Sequence, residues 1–408
     1  MNILIINQPQ YNRGDESAHK GLVRGLITKC PDVKIKVMYH SWAEHSMLQF
    51  AVHHPNVEYI KAPYSGSFRY EDLIRKRIRV DKWRILTKIP LFKLFAPIYK
   101  WADLVVCAPG GICMGGFQDW NHLIYLIMTK AYRKPLAYYG RSFGPFPTDT
   151  KLNREFKKKS LEMLKYFCFL SIRDHKTELL AQQLNIPYTS TVDSAFLDNT
   201  SISIPDNIIN LIGDNYMVFV PNYLLWHYAY KGKFSKETAI NFYCKVIDLI
   251  NKQNSGLKIV MLPQLFGIES YELNDYVFFL DIKKRSGNEN VIVLSDCNGS
   301  DIQQAIIKQA KYLIGVRYHS VVFAINQGTP FISLSYEHKM RGLLETLGKS
   351  EWCIDFTSSL LSEQGQNECL SKITELIPKL DRDVVLGRKA KQIANNCLDK
   401  FINQCIYG

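Results

Sequence analysis

The sequence predicts an α/β protein of two successive halves, each a parallel sheet with helices on both faces. Three observations carry this. Short, continuous apolar runs of strand length alternate with amphipathic helical stretches, the pattern of β–α–β units. The pattern restarts after a polar stretch at Asn199 to Asn207, which splits the chain near residue 205. Polar and glycine-rich residues gather just past the strand ends, where open α/β sheets bind ligands.

The elements follow in order. Asn2 to Ile6 is a continuous apolar run and reads as a buried parallel strand. Ser17 to Leu26 reads as a helix with Ala18, Leu22, Val23 and Leu26 on one face. Strands are expected at 34–39, 104–108, 136–139 and 167–172, with helices at 121–132, 151–164 and 176–184 between and after them. The second half repeats the scheme with strands at 216–221, 258–262, 290–294, 312–315 and 330–335, and helices at 236–252, 301–308 and 320–327. Asp383 to Phe401 reads as a terminal helix. The expected domains are 1–205, 206–382 and a C-terminal helical segment 383–408, and no internal repeat relates the halves.

Composition narrows the class. Of 408 residues, 47% are hydrophobic, which excludes a disordered chain, and Gly and Pro follow no collagen-like period. No apolar window reaches the roughly 18 residues of a spanning helix, and the first residues lack the basic start and apolar length of a signal peptide. The ten cysteines, Cys297 among them, form no CxxC pair, which fits reduced thiols in a cytoplasmic protein. The formal charge is +13, from 51 Lys and Arg against 38 Asp and Glu, and it implies an acidic partner. Residues 68–100 hold ten basic side chains against three acidic ones, interleaved with Ile74, Ile78, Trp83, Phe92 and Phe95. Two readings stay open for this insertion: a basic amphipathic element on anionic lipid, or a solvated helical insertion whose apolar face packs on the first domain. No nucleic-acid-binding pattern is present, so nucleic acid is not an expected partner.

Five segments carry residues suited to chemistry. Gly315-Val316-Arg317-Tyr318-His319 follows a strand, so Arg317 and His319 project from the sheet end. Arg offers a planar fork to carboxylate or phosphate, His exchanges protons near neutrality, and the helix opening there adds N–H groups for an anion. Asn12-Arg13-Gly14-Asp15-Glu16 supplies a tight turn, with Asp15 either a helix cap or a base toward a hydroxyl. Arg173, beside Asp174, is placed for an anion or for a salt bridge to Asp174 or another acid. Pro109-Gly110-Gly111 allows close approach of a ligand to backbone, and Asp193, which closes the first half, is either a turn residue or a catalytic acid, the turn being favoured. There is no GxGxxG fingerprint, no Walker sequence and no zinc-ligand spacing at His53-His54 or Asp15-Glu16, so neither cofactor nor metal is expected.

Taken in order, Asn12/Gly14-Asp15-Glu16, Pro109-Gly110-Gly111, Gly140 to Pro145, Arg173-Asp174, Asp193-Ser194-Ala195-Phe196, and Arg317-Tyr318-His319 with Ala324, Gly328, Pro330, Tyr336 and Lys339 resemble the polysaccharide pyruvyl transferase family over about residues 3–347. The glycine-rich strand end is shortened here to Pro109-Gly110-Gly111 before Ile112. The resemblance implies two Rossmann-like domains facing a cleft, similar to GT-B glycosyltransferases. It implies phosphoenolpyruvate as donor and a pair of hexose hydroxyls as acceptor, giving a pyruvate ketal in a surface polysaccharide precursor (capsule or exopolysaccharide). A polyprenyl-diphosphate-linked acceptor at the inner face of the cell membrane would give the basic stretch a peripheral role. His319, Asp15 and Arg317 are the catalytic candidates. Arg173, Arg317, His319, Lys339, Gly110, Gly111, Asn12 and Glu16 are the substrate-binding candidates. The nearest alternative is a GT-B glycosyltransferase with a nucleotide-sugar donor.

Overall fold

The computed structural model describes residues 1–9, 11–40, 44–49, 51–64, 86–198, 202–225, 227, 230–265, 274–295 and 299–408. The chain divides into two compact units. The first comprises Met1–Gln10, Ala18–Asp198 and Ile393–Gly408; the second comprises Tyr11–Ser17 and Asn199–Gln392. Unlike the sequential ranges read from sequence, the units interleave: the chain from Tyr11 to Ser17 is grouped with the second unit and the chain end with the first.

The first unit holds β1 (Asn2–Ile6), β2 (Lys34–Tyr39), β3 (Val57–Lys61), β4 (Leu104–Cys107), β5 (Leu136–Tyr138), β6 (Phe169–Ile172) and β7 (Thr189–Ser190). They form one parallel sheet in the order β3-β2-β1-β4-β5-β6-β7. Ile3, Leu4, Ile5 and Ile6 are fully buried. Burial on both sheet faces is why this strand is apolar throughout rather than alternating, and each such side chain contributes about 1.5–3 kcal/mol relative to exposure. The second unit holds β8 (Tyr216–Val220), β9 (Lys258–Met261), β10 (Val291–Val293), β11 (Leu313–Gly315), β12 (Phe331–Ser335) and β13 (Cys353–Asp355), parallel in the order β10-β9-β8-β11-β12-β13. In each sheet the strand order reverses once, between β1 and β4 and between β8 and β11. Such reversal points open a crevice at the carboxyl ends of the strands.

The predicted strands all form, with ends shifted by one or two residues. β3, β13 and the helices Asp275–Ser286, His338–Leu347 and Glu363–Leu376 are elements the periodicity did not single out. Two helix starts differ in ways that matter. The first helix runs Arg13–Lys29 rather than from Ser17, and the Gly14 N–H donates to Asn12 Oδ1 at 2.8 Å. Asn12 is therefore the N-cap, and Asp15 lies inside the first turn instead of capping it. The helix after β11 runs Tyr318–Gln327, two residues earlier than expected, so Arg317 is its N-cap residue and His319 sits in its first turn.

Of the basic stretch, residues 68–85 lie outside the described residues. The rest packs by its apolar face on the first unit. Leu86, Phe92, Phe95 and Tyr99 are buried in its core, with Tyr99 stacked on Tyr132 at 5.1 Å and the Tyr132 hydroxyl donating to the Phe92 carbonyl at 2.7 Å. Lys88, Lys93 and Lys100 point to solvent. No described helix is long and apolar enough to cross a membrane. The terminal helix Val384–Ile402 brings Phe401 against Tyr139 and Phe169, with ring centres 5.4 and 5.3 Å apart. The described cysteines are free thiols; Cys297 lies outside the described residues.

Candidate active site

In the second unit, four neighbouring strands, β9, β8, β11 and β12, end on one group of polar side chains. Arg317 follows β11 at the reversal point and is buried. Its Nη2 donates to Asp275 Oδ1, and Asp275 Oδ2 in turn accepts the backbone N–H groups of Gln264 and Leu265 at 3.0 and 2.9 Å. Asp275 therefore ties the guanidinium to the end of β9. Two buried donors here, Arg317 Nε and Gln264 Nε2, find no acceptor among the described residues. A buried donor without a partner costs about 1–3 kcal/mol, so a bound acceptor would relieve this end of the sheet.

His319 is buried two residues further on, its ring 5.0 Å from that of Tyr318. It lies so close to the Asn12 turn that a Cβ on Gly14 would fall 1.8 Å from His319 Cγ. Gly14 is thus required by the approach of the imidazole. Asn12 pairs with Leu265, and the Arg13 N–H donates to the Gln264 carbonyl at 2.8 Å, which seats the turn against β9's end. Glu16 Oε1 accepts both the N–H and the hydroxyl of Ser300 at 3.0 Å, and its Oε2 accepts from Arg13. Both carboxylate oxygens of Glu16 are engaged inside the protein, capping the helix Ser300–Gln309. Asp15 lies half-buried in the first turn beside Gly14.

After β12, Glu337 bridges two cations. Its Oε1 is 3.1 Å from His227 Nε2 and its Oε2 is 3.0 Å from Lys339 Nζ. Burial by itself would raise this carboxyl, but the Lys339 ammonium and the His227 imidazole outweigh it and hold the acid well below the usual range. Lys339 is thus fixed at the start of the helix His338–Leu347.

The first unit gathers a second group at the ends of β1, β4, β5, β6 and β7. Arg173 donates through Nη2 to the Gly110 carbonyl at 2.8 Å and pairs through Nη1 with buried Asp193, not with Asp174. Asp174 instead accepts the Ser142 hydroxyl at 2.5 Å and caps the helix His175–Gln183 at the Thr177 N–H. Asp193 also caps the 3-10 turn Ser194–Leu197 at the Ala195 N–H. Gly110 holds a φ of +159°, and a Cβ there would meet Arg141 Nη2 at 2.7 Å, whereas the side of Gly111 is open to 4 Å.

Of the residues singled out from sequence, Asn12, Asp15, Glu16, Arg317, His319 and Lys339 fall in the second unit, and Gly110, Gly111 and Arg173 in the first. Asp275, Gln264, His227, Glu337 and Arg141 were missed. Only a weak local signal marked Asp275, an Asn-Asp pair opening a helix, because its partner Arg317 is 42 residues away. Among the described residues no group of three or more His, Cys, Asp or Glu side chains could hold a metal ion.

A family model described as polysaccharide pyruvyl transferase matches residues 12–338. The amylovoran biosynthesis protein AmsJ of Erwinia amylovora is 24% identical over 396 residues, covering 88% of this chain and 89% of that protein. Among solved structures, the UDP-GlcNAc 2-epimerase from Neisseria meningitidis bound to UDP-GlcNAc aligns with a TM-score of 0.58 at 10% identity over 100% of both chains. Arabidopsis thaliana UGT89C1 complexed with UDP aligns with a TM-score of 0.54 at 12% identity, over 99% of this chain and 100% of that one. The fold class is two parallel-sheet α/β domains of the GT-B-like kind.

Proposed function

Because the chain belongs to the polysaccharide pyruvyl transferase family, and is an enzyme of that kind, we propose that its donor is phosphoenolpyruvate and its acceptor a pair of hydroxyls on one hexose of a surface polysaccharide precursor. The observation that carries the reading is Arg317. Asp275 locks its guanidinium, its Nε faces no protein acceptor among the described residues, and His319 stands two residues beyond it in the opening turn of a helix. This is a fixed anion contact with a proton carrier beside it, which suits a substrate bearing both phosphate and carboxylate.

In the reaction a proton goes to the methylene carbon of the donor, which makes C2 electrophilic. One sugar hydroxyl adds to C2 and releases its proton. The C2–O bond to phosphate breaks, the second hydroxyl adds and loses its proton, and the products are the ketal and inorganic phosphate. His319 is the general acid for the carbon or for the leaving phosphate. Asp15, half-buried in the opening turn of the helix that begins at Arg13, is the base for the hydroxyl. Arg317 stabilises the developing charge, with Lys339 as a further cation of the second unit and Arg173 as the first unit's anion contact. No cofactor enters this scheme.

Likeness to a protein named for amylovoran biosynthesis supports a polysaccharide under construction as the acceptor. A polyprenyl-diphosphate-linked precursor would place the enzyme in the cytoplasm, peripheral to the inner membrane face, and residues 68–85 would supply the contact. Each basic residue near an anionic surface adds about 1 kcal/mol. Neutralising Arg75, Lys76, Arg77, Arg79, Lys82 and Arg84 is expected to reduce sedimentation with anionic liposomes; unchanged sedimentation ends the membrane reading and leaves the insertion as a packed element. The donor is tested by incubation with phosphoenolpyruvate and lipid-linked oligosaccharides. Phosphate release, with a product heavier by one pyruvate ketal, is expected, and a product heavier by a hexose from a nucleotide-sugar would replace this reading with glycosyl transfer. His319→Ala at saturating donor is expected to lose about 100-fold or more in turnover, and near-normal turnover would remove the role given to His319.

A further inference from the structure

The first unit holds a buried cation that neither the ion pairs nor the proposed chemistry employs. Arg141 follows β5 and is fully buried. Its Nε donates to the Ala108 carbonyl, Nη2 to the Asn7 carbonyl at 3.0 Å, and Nη1 to the Gly111 carbonyl at 3.5 Å and to His122 Nδ1 at 3.4 Å. Three of these partners are peptide oxygens. The fourth is an imidazole that burial, and then Arg141 itself, keeps neutral by lowering its pKa. The two buried carboxylates at these strand ends are taken by other groups: Asp193 by Arg173, and Asp174 by Ser142 and a helix N-terminus. Of the thiols beside the guanidinium, Cys107 is pushed up to about 12 by burial, and Cys113 is half-buried.

Each donor nitrogen of Arg141 has a partner, yet among the described residues its charge meets no carboxylate. Hydrogen bonds to neutral groups do not cancel the desolvation of a buried ion, which costs several kcal/mol unless an opposite charge lies near. The charge sits directly beneath the Pro109-Gly110-Gly111 turn at the β1/β4 reversal point, with Nη2 under Gly110. Arg173 holds the Gly110 carbonyl, and because a trans peptide sets C=O and N–H in opposite directions, the Gly111 N–H faces away from Arg173. Nothing lies within 4 Å of where a Gly111 side chain would stand.

We propose that the Gly110-Gly111 turn binds a phosphate or carboxylate anion whose charge is balanced by Arg141 from beneath the backbone. Arg141 is a positioning residue: it touches the turn, not the ligand. It also fixes why the turn must be glycine at 110, since a side chain would displace the guanidinium. That the anion is the donor rests on the reading above; that an anion binds there does not.

The test is isothermal titration of the full chain with inorganic phosphate and, separately, with phosphoenolpyruvate at constant ionic strength. Arg141→Gln and Gly111→Val are each expected to weaken one binding event at least tenfold, while Arg141→Lys, which keeps the charge, loses less. Gly111→Val fills open space and is expected to leave the melting temperature without anion unchanged, so it decides the matter should Arg141→Gln fail to fold. Equal affinity in wild type, Arg141→Gln and Gly111→Val would overturn the proposal, as would a lower melting temperature in Arg141→Gln with its anion affinity intact. Cys113→Ser is expected to bind as wild type does; a tenfold tightening would identify a Cys113 thiolate as the counter-ion and overturn it too. Phosphate binding that depends on Arg141, without turnover of phosphoenolpyruvate, would keep this site and remove only the donor assignment.

Discussion

Asp275→Asn is expected to lower turnover by about 100- to 1,000-fold and to destabilise the protein by about 3–5 kcal/mol. The carboxylate is buried and has two tasks. Oδ2 collects two backbone N–H groups at the end of β9, and Oδ1 holds Arg317 Nη2. An amide in the same place keeps one acceptor oxygen and no charge. Arg317 would then be a buried cation without its partner, free to turn from the position in which its Nε is left for the proposed anion. Denaturant unfolding reads the first effect and steady-state kinetics the second. An Asp275→Asn enzyme near wild type in both would mean that Arg317 is held by something else and that the anion contact does not depend on the pair. Arg317→Lys adds a second view: a point charge cannot keep both the Asp275 contact and a forked ligand contact, so donor affinity should fall even where folding survives.

Gly14→Ala is expected to be nearly as severe as loss of the imidazole. The new Cβ would stand 1.8 Å from His319 Cγ and 1.9 Å from its Nδ1, so the ring must leave its place. Displacing a reacting group by about 1 Å can cost roughly 100-fold, and that is the expected fall in turnover. The cause is steric, and this makes it separable. Combining Gly14→Ala with His319→Gly removes the ring and also the Cβ, which would lie 2.3 Å from the new methyl, so the pair should recover part of the stability lost in Gly14→Ala and none of the activity. Full activity in Gly14→Ala would show that the ring can move without consequence, and His319 would then have no positional role.

Much of the framework was legible in the chain because it is locally encoded. A strand buried on both faces must be apolar at consecutive positions, as in Ile3–Ile6 and Tyr216–Val220, and the residues after it must turn and expose polar groups. That rule alone placed Arg317, His319, Arg173 and Gly110 just past strand ends, where the structure has them. Short edge strands such as β13 and helices with mixed faces such as Asp275–Ser286 carry weaker periodicity and were not. Asp15 was the natural capping residue by type, yet Asn12 took that place once the helix began at Arg13.

The sequence by itself therefore determined the alternation of strands and helices, the parallel sheets this requires, the strand ends that carry cations and glycines, and the family likeness in their order. Tertiary structure alone decided the partners. Arg173 pairs with Asp193, 20 residues on, and not with its neighbour Asp174; Arg317 pairs with Asp275; Glu16 spends its carboxylate on Ser300; Arg141 disappears beneath a turn 30 residues away. The physical reason is one of range. Backbone pleat and two-sided burial act over a few residues and leave a periodic trace. Which charge meets which depends on the crossovers that set strands of distant sequence side by side, and no local pattern records it.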